Sequence, residues 1–109
     1  MIHFRWFVGI VLALVGAPII VAQPYVSKQY SATAESDVVY ATAPAFNGRI
    51  DTLRMNVWTP VNDGPGLRPC VVWVHGGGFT SGNRVDMNAA CADWAARGYV
   101  AVTISYRLG

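Results

Sequence analysis

Charge is scarce in this sequence: 13% of its 109 residues are Asp, Glu, Lys or Arg, and the net charge is +2. There is no basic run, and no aromatic residues interleave with Lys or Arg as a stacking platform requires, so nucleic acid is excluded as a partner. Cysteine is scarcer still, with Cys70 and Cys91 alone. They form no ligand-spaced cluster with His75, and neither a metal nor any other cofactor is implied. A phosphate loop is excluded as well. The glycine run Gly76-Gly77-Gly78 is followed by Phe79-Thr80, where such a loop carries Lys-Ser or Lys-Thr. Long apolar runs are also lacking: the uncharged, mostly aliphatic block 6–22 has about 17 residues, at the lower limit for a membrane span.

That block follows His3 and Arg5 and ends in small residues, the pattern of a secretory leader over residues 1–22. Cleavage after Ala22 would leave Gln23 first in a secreted or periplasmic protein. Gly9, Gly16 and Pro18 weaken a permanent helix, and an uncleaved anchor, with the membrane as partner, is the alternative. Residues 23–36 are polar and rich in small side chains and read as a flexible lead-in. The domain proper spans 37–109. Its first strand is expected over 37–42, followed by a tight turn at Asn47-Gly48. Ile50, Leu53, Met55 and Val57 then alternate with Arg49, Asp51, Arg54 and Asn56, as in a half-buried strand of an antiparallel pair at a sheet's edge. Residues 61–69, with Asp-Gly and Pro-Gly, read as a solvated connector.

The stretch 71–82, VVWVHGGGFTSG, organises the rest. Val71-Val72-Trp73-Val74 is apolar and β-branched without alternation, which predicts a strand buried on both faces. Three glycines at its end permit a sharp turn whose N–H groups carry no Cβ screen, open to close approach by a ligand. A helix over 86–97 follows, with Asp86 as its N-cap. Met87, Ala90, Cys91, Trp94 and Ala95 form one apolar stripe, and Gly98 supplies the left-handed stop. Residues 99–105 make another buried strand, which completes a βαβ unit. Trp58 and Trp94 read as core. Cys70 starts a strand and Cys91 lies midway along a helix about 10 Å from the sheet, too far for a ready disulfide. Two buried thiols are favoured, with pairing to each other or outside the chain left open.

Three segments carry a resemblance. HGGGF after an apolar strand resembles the oxyanion loop of α/β-hydrolase esterases and lipases. Upstream, the stretch 53–60 (LRMNVWTP) resembles a carboxylesterase strand of the form L-x-L-N-V-Y-T-P. Downstream, 100–109 (VAVTISYRLG) resembles the V-V-V-T-I-N-Y-R-L-G strand. The resemblance implies an α/β fold: the N-terminal part of an α/β-hydrolase sheet, with antiparallel edge strands followed by the βαβ unit. It implies a carboxylesterase acting on small-molecule esters, with oxyanion donors at the N–H groups of Gly77 and Gly78. His75 would brace the turn together with Gly76. Phe79 would either pack beneath the loop or wall the acyl pocket, and Tyr106 and Arg107 would anchor the strand end. Where type-B carboxylesterases carry E-D-C-L, this sequence has Ile50-Asp51-Thr52-Leu53, which removes a family disulfide partner and points toward smaller bacterial esterases.

The nucleophile is missing. No Gly-x-Ser-x-Gly occurs, and Ser81 and Ser105 lack the flanking glycines of a strained elbow. Ser81 reads as a turn residue and Ser105 as part of a strand. The catalytic histidine of such enzymes follows the nucleophile in chain order, so His75 is not assigned that role. With about 90 residues after its leader, the chain is too short for the complete sheet and is expected to be the N-terminal piece of a longer enzyme, inactive alone. A peptidase on the same fold, or a non-catalytic adhesion domain of cholinesterase type, are the competing readings.

Overall fold

Among the described residues four strands share one sheet, built from an antiparallel hairpin and a parallel pair. The computed structural model describes residue 16, residues 23–62 and residues 64–109, so the expected leader lies outside the described residues apart from Gly16. Strands β1 (Ala32–Pro44), β2 (Ile50–Pro60), β3 (Cys70–Val74) and β4 (Val100–Ile104) lie in the order β1-β2-β4-β3. β1 pairs antiparallel with β2 and β2 with β4, whereas β3 and β4 are parallel. The antiparallel edge and the βαβ unit expected from the sequence are both present. The hairpin closes at Asn47-Gly48: Gly48 adopts φ +78° and donates to the Ala45 carbonyl at 3.0 Å. The Asn47 Oδ1 accepts from the Arg49 N–H at 3.0 Å, the local side-chain bond that makes Asn a turn residue.

β1 begins at Ala32 rather than Asp37 and carries a bulge. Glu35 pairs with Val57 and Val38 with Met55, so Ser36 and Asp37 together face Asn56. Asp37 takes φ +62°, and its N–H donates to the Asn56 Oδ1 at 3.0 Å. Residues 23–31, expected as a flexible lead-in, are tied to the end of helix α1 (Asn88–Ala96). Gln29 and Tyr30 donate to the Ala96 carbonyl at 2.8 and 3.0 Å, and Tyr25 to that of Arg97 at 3.1 Å. These bonds satisfy carbonyls that a helix C-terminus leaves without internal partners. Lys28 forms an ion pair with Asp93; its hydrogen bond, and next that of Arg97, hold the Asp93 carboxyl below the usual carboxylate range.

Asp86 is not the N-cap. A 3₁₀ turn over Arg84–Met87 precedes α1, so the cap falls one turn earlier, on Asn83. The Asn83 Oδ1 accepts from the Val85 N–H at 2.8 Å, and Asp86 accepts from the Asn83 N–H at 3.0 Å, a reciprocal capping box. Gly98 ends α1 at φ +108°, donating to the Ala95 carbonyl at 3.0 Å. The expected stripe faces the sheet: Cys91 and Ala95 are fully buried against Ala101 and Thr103. Trp94 meets Trp73 edge-on at 5.9 Å and Tyr99 at 4.7 Å.

The two-sided burial expected for β3 does not hold. Val71 and Trp73 are half-buried on the α1 side, but Val72 and Val74 are 54% and 57% exposed, because no described residue covers the opposite face. The same asymmetry inverts β2. Asn56, read as an outward polar position, faces α1 at 3% exposure, while Leu53, Met55 and Val57 on the other face are only half-buried.

The thiols differ likewise. Both are free, but Cys70 is exposed at the sheet edge and only Cys91 is buried. Burial pushes the Cys91 thiol up to about 11. At pH 8, a thiol-specific reagent is therefore expected to modify Cys70 promptly and Cys91 only as the protein unfolds. Equal native labelling rates, read by mass spectrometry, would contradict this packing.

Candidate functional site

At the carboxyl end of β3 the chain turns on glycine. Gly77 and Gly78 take φ +130° and +61°, followed by Phe79 at +66°. The turn closes over one oxygen: the Gly77 carbonyl accepts from the N–H groups of Thr80 and Ser81, both at 3.2 Å, and from their hydroxyls at 3.2 and 3.1 Å. Ser81 thus serves the turn. Among the described residues, the N–H groups of Gly77 and Gly78 donate to no backbone carbonyl, and the whole loop from Gly76 to Gly82 is solvent-exposed. A Cβ on Gly78 would meet nothing within 4 Å, whereas one on Gly77 would stand 2.1 Å from the Ser81 carbonyl oxygen.

His75 lies beneath this turn at 3% exposure. Its Nδ1 is 2.7 Å from the Gly76 carbonyl oxygen, an acceptor only, so the proton sits on Nδ1. The buried Nε2 has no hydrogen-bond partner among the described residues. The ring stacks on Tyr106 at 4.3 Å and 11°, and the Tyr106 hydroxyl donates to the His75 carbonyl at 3.0 Å. Gly82 closes the base of the loop: a Cβ there would lie 2.5 Å from both the Gly76 oxygen and the His75 Nδ1. Incoming and outgoing legs therefore meet at one imidazole.

Phe79 does not pack beneath the loop. Its ring is 75% exposed and edge-on to Tyr106 at 6.4 Å, and its carbonyl accepts from the Gly109 N–H at 2.8 Å. With Val74, Ile104 and Tyr106 it borders an apolar depression of about 280 Å³ beside Gly76 and Gly78. Arg107 donates to the Pro44 carbonyl at 2.6 Å, fastening the chain after β4 to the hairpin. Ser105 is engaged in structure: its hydroxyl accepts from the Arg84 N–H at 3.1 Å and its carbonyl from the Tyr40 hydroxyl at 2.6 Å.

A cluster that sequence reasoning missed lies behind the loop. Arg84 forms an ion pair with Asp37 and donates to the Asn56 Oδ1 at 3.1 Å, and the Asn56 amide donates to Asn88 at 3.1 Å. Nothing local signalled it, because Asn56 alternates with Leu53, Met55 and Val57 just as Arg54 does. No group of three or more His, Cys, Asp or Glu side chains is placed to hold a metal among the described residues.

The strand order, the βαβ unit and the glycine turn at a strand's carboxyl edge define the N-terminal part of an α/β-hydrolase fold. Esterase B from Lactobacillus rhamnosis superposes with a TM-score of 0.57 at 24% identity, over 72% of this chain and 24% of that one. The chain belongs to the carboxylesterase family, which residues 24–109 match. It is 47% identical over 60 residues to phenmedipham hydrolase of Pseudarthrobacter oxydans, covering 54% of this chain and 12% of that protein. It is also 33% identical over 95 residues to neuroligin-like protein glit-1 of Caenorhabditis elegans, covering 80% of this chain and 13% of the relative. The chain therefore spans about an eighth of the length of either relative.

Proposed function

We propose that the protein carrying these 109 residues is an exported serine carboxylic ester hydrolase. In this reading the turn after β3 stabilises the oxyanion formed when the nucleophile attacks a small-molecule ester. The supporting observation is that the Gly77 and Gly78 N–H groups, unengaged by backbone acceptors, sit on an exposed turn at the strand's carboxyl edge. Negative charge grows on the carbonyl oxygen only as the tetrahedral intermediate forms. Fixed donors aimed there favour the transition state over bound substrate, and each is worth about 3–4 kcal/mol of barrier. His75 and Gly76 hold the turn, and Phe79 walls the acyl side. Nucleophile, general base and orienting acid come from outside this chain, since no elbow serine occurs within it.

The expected result is that the full-length protein hydrolyses p-nitrophenyl esters and loses that activity to a serine-directed organophosphate, while the 109-residue chain alone is silent. Turnover by the chain alone would overturn the division of labour. A full-length protein without hydrolysis would favour the second reading, a non-catalytic binding domain.

A further inference from the structure

The incoming leg of the glycine loop is fixed by β3 and by His75 and Tyr106. The outgoing leg, from Gly82 onward, has no strand to hold it, and its first residue bonded to the sheet is Arg84. Three strands converge on that residue. The Arg84 Nη2 pairs with Asp37 in the β1 bulge, Nε donates to Asn56 of β2 at 3.1 Å, and Nη1 donates to the Ser105 hydroxyl just beyond β4 at 3.4 Å. Its backbone is held as well, N–H to the Ser105 hydroxyl at 3.1 Å and carbonyl to the Thr103 hydroxyl at 2.9 Å. Thr103 and Asn56 are 0% and 3% exposed, so these partners are rigid parts of the sheet. Ser105 also directly precedes Tyr106, the ring on which His75 stacks.

We propose that Arg84 is a positioning residue for the oxyanion loop: its guanidinium fork fixes the outgoing leg against β1, β2 and the end of β4, and so sets where the Gly77 and Gly78 N–H groups point. The proposal rests on the hydrolase reading. A planar fork with donors in fixed directions suits three acceptors on different strands, which a lysine ammonium on a flexible stem cannot reproduce. The bulge at Asp37 is then an adaptation that brings a carboxylate and a redirected N–H to the same cluster. Donors to a developing oxyanion tolerate little drift, since misplacement by about 1 Å can cost about a hundredfold in rate.

The test uses the full-length protein, with active sites counted by stoichiometric organophosphate so that misfolded molecules drop out. Arg84→Met and Arg84→Lys are each expected to lower kcat per titrated site by about 10- to 100-fold with KM within about threefold, because only the transition state uses the donors. Affinity for a boronic acid transition-state analogue should fall in parallel. Arg54→Met is the control: Arg54 donates to the Asp37 carbonyl at 2.9 Å but does not touch the loop, and its kcat should stay near wild type. Unchanged kcat per site in both Arg84 variants, or an equal loss in Arg54→Met, would overturn the positioning role. A wild-type protein that hydrolyses no ester would instead remove the reading on which this rests.

Discussion

Replacing Gly77 with alanine is expected to lower kcat of the full-length protein by about 10²–10³-fold, the loss typical of removing an oxyanion donor. The cause is backbone, not chemistry. An added Cβ would sit 2.1 Å from the Ser81 carbonyl oxygen and 2.8 Å from its hydroxyl oxygen. Ser81 cannot withdraw cheaply, because its N–H and hydroxyl both bond to the Gly77 carbonyl, at 3.2 and 3.1 Å. The φ of +130° at Gly77 adds strain, since residues with a Cβ rarely adopt it. The turn must therefore open and carry its N–H groups with it. Gly78→Ala separates this from a general intolerance of alanine. Its Cβ would meet nothing within 4 Å, and φ +61° is a left-handed conformation costing about 1–2 kcal/mol for an L-residue. That variant should keep the turn and lose less than about tenfold. Steady-state kinetics on both variants checks the contrast; a Gly77→Ala enzyme with native kcat would mean that the turn does not present the donors.

The sequence made local geometry legible. Asn47-Gly48, Gly98 and the triple glycine act through backbone rules that need no distant partner, and the stripe from Met87 to Ala95 follows from helical periodicity alone. What stayed hidden depends on groups far apart in the chain. Asn56 looked like the solvent side of an alternating strand, because alternation tells two faces apart but not which one a helix will cover. Its burial follows from α1, some thirty residues later, and the exposure of Val72 and Val74 from the lack of a described layer on the other face. Asp86 was one turn from the right cap, since Asn83 and Asp86 both suit an N-terminus and only the 3₁₀ start decides between them. Arg84 carried no local signal: its acceptors are Asp37, Asn56 and Ser105, from three separate segments.

Asn56→Leu is expected to destabilise the protein by about 3 kcal/mol, a large fraction of a typical folding free energy of about 5–15 kcal/mol. The Asn56 Oδ1 accepts from the Asp37 N–H at 3.0 Å and the Arg84 Nε at 3.1 Å, and its amide nitrogen donates to Asn88 at 3.1 Å. Leucine is similar in volume, so little cavity forms, and the loss comes from polar groups left without partners. Each stranded buried group costs about 1–3 kcal/mol, more where a charge is involved. Water recovers part of this, because the Arg84 side chain retains 19% exposure. The Asp37 N–H is harder to satisfy, since the bulge has already removed it from the ladder. Asn56→Asp keeps the acceptor role: it retains an oxygen for Asp37 and Arg84, gives up the donor to Asn88 and adds a charge that the neighbouring Arg84 guanidinium offsets, so it should cost less than leucine, about 1–2 kcal/mol. Urea denaturation with unchanged slope gives both values. If leucine and aspartate cost the same, the carboxamide oxygen is not what joins β1, β2 and the base of the loop, and the cluster stabilises the sheet by packing alone.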